Sequence, residues 1–168
     1  DGSGRNPTPD HVSRVFDGRL AAHFGGREQQ VLSHPRYRLH VVTSRGQHVL
    51  AREGRWRTPL GYLGLALSNA VSRRSVGAWT ERVVFSSQGE LPFATQDFRT
   101  RQQRLDEDNF MPAVQASCSI PFVMQSVHDI PGAAPGAYWD GGITDYHLHL
   151  NYKGLVLYPH FQRAVVPG

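Results

Sequence analysis

The residues with the clearest chemical potential are a carboxylate followed by two glycines, Asp140-Gly141-Gly142, directly after two aromatic residues. A carboxylate that accepts a proton must be held at the end of a rigid element, with room beside it for the reacting group. The glycines supply that room, because they lack a Cβ and let the backbone turn sharply. The same residues also describe a strand that ends in an ordinary Asp-Gly turn. Taken alone, the stretch 138–145 leaves both interpretations open.

A second candidate is the alternating run at 145–150. In an extended strand, Asp145, His147 and His149 share one face, and two histidines with a carboxylate can hold a metal ion. A half-buried strand with a polar outer face explains the same pattern without a metal. Because the sequence shows no supporting partner for such ligands, we predict no metal site and keep this triad as an alternative.

Other catalytic motifs are missing from the sequence. It contains neither the Gly-x-Ser-x-Gly nucleophile elbow nor a phosphate-binding glycine loop, so we predict no nucleotide cofactor. The single cysteine, Cys118, lies near the end of a predicted helix, where the helix dipole opposes thiolate formation. We interpret Cys118 as a buried structural residue rather than as a nucleophile.

The composition is that of an ordinary globular chain. Its 168 residues have the size of one domain and can bury a core unaided. No run of about 18 apolar residues is present, so we predict no membrane-spanning helix. A lone cysteine excludes an internal disulfide, as is usual in a reducing compartment. Residues 1–9 have no signal-peptide pattern, and we interpret them as a flexible loop within a longer protein.

Charge is distributed unevenly along the chain. Residues 1–104 contain 16 arginines and 8 acidic residues, whereas 105–168 contain 2 basic and 6 acidic residues. Such a basic half can meet phosphate on lipid or nucleic acid. The arginines are scattered singly, without a dense tract or interleaved aromatics. We therefore predict no nucleic-acid partner, and peripheral contact with anionic lipid stays open.

Three helices are expected to position these residues. The first spans 10–26, with Asp10 as its cap and two glycines at its end. The second spans 59–74, with apolar residues at helical spacing. The third begins at Asp106 or Asp108 and is stopped by the Ile-Pro pair at 120–121.

Strands are expected between and after these helices. Apolar, β-branched runs predict strands at 37–43, 83–85, 93–98 and 155–158, and the aromatic approach to the carboxylate predicts another at 138–140. Because helices and strands alternate, we predict an α/β fold with helices packed on a mixed, mainly parallel sheet.

Two sequence blocks, taken in order, resemble one known family. The first is Ala-Val-Gln-Ala-Ser-Cys-Ser-Ile-Pro-Phe at 113–122, and the second is Tyr-Trp-Asp-Gly-Gly-Ile-Thr-Asp at 138–145. They resemble the C-terminal half of bacterial patatin-like phospholipases, in which a helix ends in Ala-Ser-x-x-x-Pro and a later strand ends in Asp-Gly-Gly. The strand at 37–43 is similar to the one after the nucleophile-bearing helix of that family. The resemblance spans about residues 30–150 and implies that 1–168 is one partial domain of a three-layer α/β/α fold.

The resemblance implies a carboxylic ester hydrolase with a Ser-Asp dyad. Asp140 is then the dyad carboxylate, and Gly141 and Gly142 keep the space beside it open. In that mechanism the aspartate takes the serine proton directly, the serine attacks the ester, and water releases the acyl group. Since an aspartate with a pKa of about 3.9 is a weak base, burial must raise that pKa or the site must hold the carboxylate very close. The serine and the oxyanion loop are expected upstream of Asp1.

The segment after the second glycine departs from the family pattern. In many relatives an Asn and a Pro lead into a helix there, whereas this chain continues with the alternating run at 145–150. The alternative function is a non-catalytic interaction module of the same fold that never had a serine. On either interpretation the 168 residues alone are expected to hydrolyse nothing. For the hydrolase we expect lipid or other esters as substrates, no cofactor, and a location in the cytoplasm or at the membrane periphery.

Overall fold

The computed structural model describes residues 7–47, 79–145, 150, 151, 153, 155 and 157. In this part of the chain, helices and strands are combined in an α/β arrangement, as the sequence predicts. The helices are α1 Pro9–Phe24, α2 Glu28–Leu32 and α3 Glu107–Ser117. The strands are β1 His40–Gly46, β2 Thr80–Ser86, β3 Thr100–Arg104, β4 Val127–His128 and β5 Ala137–Asp140, and a 3-10 helical turn follows at Gly141–Ile143.

The five strands form one sheet in the order β3-β2-β1-β5-β4. Of the four strand pairs, β2 with β3 is parallel, while β1 with β2, β1 with β5, and β4 with β5 are antiparallel. The predicted mixed sheet is confirmed, but the prediction that it is mainly parallel is wrong. Alternating helices and strands suggested helical crossovers. Instead, the short loop 129–136 joins β4 to β5, and so short a connection makes neighbouring strands antiparallel.

The hydrophobic core lies between one face of the sheet and helix α3. Helices α1 and α2 cover α3 and contribute partly buried side chains to the same core. The second helical layer of a three-layer fold would involve the helix predicted at 59–74, which lies outside the described residues. The buried core side chains are Val41, Val83, Phe85, Leu105, Phe110, Ala113, Ala116, Ile130 and Tyr138.

Helix α3 begins at the residue that the sequence predicts. The Asp106 carboxylate accepts a hydrogen bond from the Asn109 amide at 3.2 Å, and the Asn109 side chain accepts one from the Asp106 amide at 3.0 Å. This reciprocal capping box satisfies two amides that the first helical turn leaves unpaired. The helix ends with Cys118 as its C-cap, just before the predicted Ile-Pro stop.

Helix α1 is confirmed, but its cap differs from the prediction. The Thr8 hydroxyl, rather than Asp10, caps the helix by accepting a hydrogen bond from the His11 amide, and Pro9 occupies the first turn. Asp10 instead pairs with Arg14 one turn further on, at 2.8 Å on the exposed surface. The helix ends just before the two glycines, as expected.

Two strand predictions are displaced. The central strand β1 starts three residues later than predicted and continues through Ser44, Arg45 and Gly46, because these residues pair with β2 and the first two also with β5. The strand predicted at 93–98 is wrong. The real third strand, β3, is a polar edge strand that lacks an apolar run, so its sequence carries no strand signal.

The strands near the carboxylate and in the centre of the sheet are confirmed. The apolar run at 83–85 lies within β2, and the stretch 138–140 ends β5. Of the run predicted as a strand at 155–158, Leu155 and Leu157 are described, and both are fully exposed outside any strand. The remaining two residues of that run, and His147 and His149, lie outside the described residues.

Candidate active site at the end of strand β5

Asp140 is the last residue of β5 and is fixed from three sides. It lies opposite Thr43 of the central strand β1. Its amide donates a hydrogen bond to the carbonyl of Ser119, just after α3, at 3.1 Å. Its carboxylate oxygen Oδ1 accepts a hydrogen bond from the amide of Gly142 at 2.7 Å and so caps the 3-10 turn. The carboxylate is therefore held by strand, loop and turn together, as a catalytic group requires.

The environment of Asp140 favours a stronger base than a free aspartate. The residue is only partly exposed, and burial raises its pKa above the ordinary value of 3.8, while the Gly142 amide opposes that change in part. Desolvation disfavours the charged form of a carboxyl group, so the ionised carboxylate binds a proton more readily. This is the direction of shift that an aspartate acting as a base would need.

The two glycines meet different constraints. A Cβ on Gly141 would lie 2.6 Å from the backbone oxygen of Val42 and 2.9 Å from its Cγ1, so β1 approaches too closely for any other residue. A Cβ on Gly142 would lie 3.2 Å from Oδ1 of Asp140, so this glycine leaves room beside the carboxylate. Neither has a positive φ. Close approach of neighbouring atoms, rather than a left-handed backbone, therefore explains both positions.

The turn after Asp140 is tied back to the sheet. The amide of Asp145 donates to the carbonyl of Gly141 at 2.9 Å, and the Thr144 hydroxyl donates to the same carbonyl at 3.0 Å. The hydroxyl of Ser44, in the central strand, donates to Thr144 Oγ1 at 3.2 Å across a separation of 100 residues. These bonds fix the backbone that carries both glycines.

Asp145 ends this stretch as a buried ion-pair partner. Its two oxygens accept from Nε and Nη2 of Arg82 at 2.5 and 2.6 Å, and both side chains are almost completely buried. In this bidentate pair, both carboxylate oxygens of Asp145 are engaged by Arg82. In the alternative metal triad, Asp145 is thus engaged with Arg82, while the two histidines lie outside the described residues. Within 7–47, 79–145 and the five later described positions, no three His, Cys, Asp or Glu side chains are placed to hold a metal ion.

Arg82 is a buried partner of the site that was not predicted from the sequence. Its guanidinium lies over the rings of Phe93 and Phe98, 5.4 and 5.6 Å from their centroids. Burial acts to lower the pKa of Arg82, but the hydrogen bonds and charges of Asp145 and Asp97 outweigh it, so the pKa is raised. A signal was present in the sequence, since Arg82 directly precedes the apolar run 83–85 and a charge beside a buried strand requires a partner.

Cys118 lies beside the site without being activated. Its half-buried thiol is 3.8 Å from the Ser117 hydroxyl, and burial together with the nearby Asp140 charge raises its pKa. The interpretation of Cys118 as a non-nucleophilic residue agrees with this environment. The hydroxyls of Ser117 and Ser119 donate to the helix carbonyls of Val114 and Gln115 at 2.8 and 2.9 Å. Both serines are therefore committed to the end of α3.

Comparison with known protein families, with curated proteins and with solved structures found no match to this chain. Among the described residues, none of the helices is long and apolar enough to cross a membrane.

Proposed function

We propose that this chain is part of a patatin-like serine acyl hydrolase that cleaves lipid or other carboxylic esters. Asp140 is the general base of a Ser-Asp dyad, and the nucleophilic serine and oxyanion hole come from residues upstream of Asp1. The observation that carries the proposal is the state of Asp140. Its carboxylate is fixed at a strand end, has a raised pKa and has a glycine in place of a side chain beside it.

The two oxygens of the fixed Asp140 carboxylate have separate roles in this mechanism. The Gly142 amide holds Oδ1 of Asp140 in place, and Oδ2 accepts the proton of the serine hydroxyl as the serine oxygen attacks the ester carbonyl. The alcohol leaves with that proton, and an acyl-serine ester remains. Water then attacks the acyl-enzyme and gives one proton to Asp140. Asp140 returns this proton to the serine oxygen as the carboxylic acid is released.

The engaged hydroxyls near the site support an upstream nucleophile. Ser117 and Ser119 lie within the first of the two resembling blocks, and both donate to backbone carbonyls of α3. Releasing either hydroxyl for catalysis would leave a helix-end carbonyl without that donor. A serine from another segment meets no such constraint.

The test is ester hydrolysis by the full-length parent protein carrying Asp140→Asn. We expect a loss of activity on a soluble p-nitrophenyl ester of about a hundredfold or more, because a general base contributes at least that much. Asparagine keeps the acceptor for Gly142, so the turn is preserved while the base is lost.

Asp129→Asn is the matched control. Asp129 also accepts a hydrogen bond from a glycine amide, that of Gly136 at 2.8 Å, and its positive φ of 51° suits asparagine. We expect this variant to keep full activity. Retained activity in Asp140→Asn would refute the dyad assignment, and a parent protein with no esterase activity would favour a non-catalytic interaction module.

A further inference from the structure

A tight apolar turn lies directly beside the candidate base. The amides of Val123 and Met124 both donate to the carbonyl of Ile120, at 3.2 and 2.9 Å, which closes a turn around Pro121. The turn carries three outward apolar side chains: Ile120 is 51%, Phe122 60% and Val123 49% exposed. Met124 points the other way and is buried. We call Ile120–Met124 the apolar turn.

The backbone of the apolar turn is strained at its largest side chain. Phe122 has φ = 68°, in the left-handed region that bulky residues rarely adopt. Such a conformation costs free energy and persists where the surrounding structure or the function requires it. Here it leaves Phe122 60% exposed to solvent.

The apolar turn is fixed at both ends. At its start, the carbonyl of Ser119 accepts the amide of Asp140, so Ile120 is one residue away from a hydrogen bond to the candidate base. At its end, the amide of Gln125 donates to the buried hydroxyl of Ser13 in α1 at 3.0 Å. The exposed side chains thus lie at a defined position relative to Asp140.

The size and charge of this surface indicate its partner. Residues 118–127 contain no acidic or basic side chain, so entry into an apolar phase requires no charge to be desolvated. Three half-exposed side chains offer on the order of 300 Å² of apolar surface, well below the ~800 Å² that each partner of a stable protein interface buries. Insertion into a lipid surface needs no such area, because each apolar side chain contributes separately.

We propose that the apolar turn is the contact by which this protein inserts into the surface of a lipid aggregate. This proposal rests on the proposed acyl-hydrolase function, because the apolar turn would place Asp140 at the edge of the lipid phase that holds the ester. The physical contact, however, is measurable without catalysis. Its driving force is burial of Phe122 and its two apolar neighbours, and not the arginine excess of the chain.

The test is vesicle flotation of the 168-residue protein with phosphatidylcholine vesicles, with and without phosphatidylglycerol. We expect the wild-type protein to bind the neutral vesicles, and Phe122→Asn with Val123→Ser to bind about tenfold or more weakly. Asparagine tolerates a positive φ well, so thermal denaturation of this double variant should show a cooperative unfolding transition like that of the wild type. Tyr37→Ser is the matched control, because Tyr37 is 67% exposed but lies before the central strand, outside the apolar turn.

The outcomes separate this proposal from the proposed function. No binding to phosphatidylcholine vesicles, or equal binding by wild type and the double variant, would overturn the proposal, as would binding that needs phosphatidylglycerol and disappears with salt. In the full-length parent, the double variant should lose activity on vesicle-borne ester but keep it on a soluble ester. Asp140→Asn should keep vesicle binding but lose activity on both the vesicle-borne and the soluble ester.

Discussion

At the level of single residues, Gly141 and Gly142 are constrained by different neighbouring atoms. Gly141→Ala places a Cβ against the backbone of Val42, which cannot move without disturbing the central strand. We expect a loss of about 1–3 kcal/mol in the free energy of unfolding, the usual cost of overpacking, measured by denaturant unfolding. Gly142→Ala meets only Oδ1 of Asp140 at 3.2 Å. This variant should remain within about 0.5 kcal/mol of wild type, yet reduce ester hydrolysis by the parent. A reversed order of stabilities would contradict the geometry.

The raised pKa of Asp140 has a consequence for stability. The folded state disfavours the ionised carboxylate, so the favourable contribution of this group is complete below the ordinary pKa of 3.8 and is lost as the pH rises through the folded-state pKa. Asp140→Asn removes that ionisation and keeps the cap on Gly142. We expect the variant to be more stable than wild type at neutral pH, with the difference vanishing below the ordinary pKa.

The comparison with alanine tests the cap itself. Asp140→Ala also removes the ionisation, but it leaves the Gly142 amide without its acceptor. It should therefore be about 1 kcal/mol less stable than Asp140→Asn at every pH. Thermal unfolding across the acidic range measures both effects. Equal stability of Asp140→Asn and wild type at neutral pH would show that Asp140 has no raised pKa.

At the level of elements, one buried ion pair joins strand β2 to the turn after β5. Asp145→Asn leaves the Arg82 charge buried against two aromatic rings with its main partner neutralised. We expect a loss of about 3–5 kcal/mol in the free energy of unfolding, the usual cost of breaking a buried pair. Asp97→Asn is the control, because Asp97 is partly exposed and lies 3.4 Å from the same guanidinium. It should cost less than about 1 kcal/mol. Similar losses in both variants would refute the special role of Asp145.

Local sequence signals predicted some elements well and others poorly. The cap at Asp106, the apolar strand β2 and the strand end at Asp140 were all predictable, because each depends on neighbouring residues. Strand β3 was not, because a polar edge strand is defined by its pairing with β2. The pair formed by Arg82 and Asp145 was equally hidden, since its partners are 63 residues apart. The candidate site followed the same rule: the strand that ends at Asp140 was predictable, whereas only the fold showed which contact each glycine avoids.

At the level of the whole molecule, Glu81 links three strands of the sheet. Its fully buried carboxylate accepts hydrogen bonds from Arg45 of β1 at 2.6 Å and Arg101 of β3 at 2.7 Å, and pairs with Arg99 at 3.1 Å. Burial alone would raise the pKa of Glu81, but the hydrogen bonds and charges of Arg101 and Arg45 lower it below the ordinary value of 4.5. This carboxylate therefore binds the sheet together most strongly when it is ionised.

The pH dependence of the whole fold should follow from that link. Because the folded-state pKa of Glu81 is depressed, its stabilising contribution is present above the ordinary pKa of 4.5 and is lost as the pH falls through the folded-state value. Glu81→Gln should lower the free energy of unfolding at neutral pH, since the arginines lose their common charge partner, but by less than Asp145→Asn, because Arg99 and Arg101 are about half exposed and solvent screens their charges. Below the folded-state pKa, the wild-type carboxyl group is also neutral, so the two stabilities should converge. Acid unfolding followed by tryptophan fluorescence measures this, with the exposed Glu107→Gln as control. A constant difference at all pH values would show that Glu81 stabilises the sheet by packing rather than by charge.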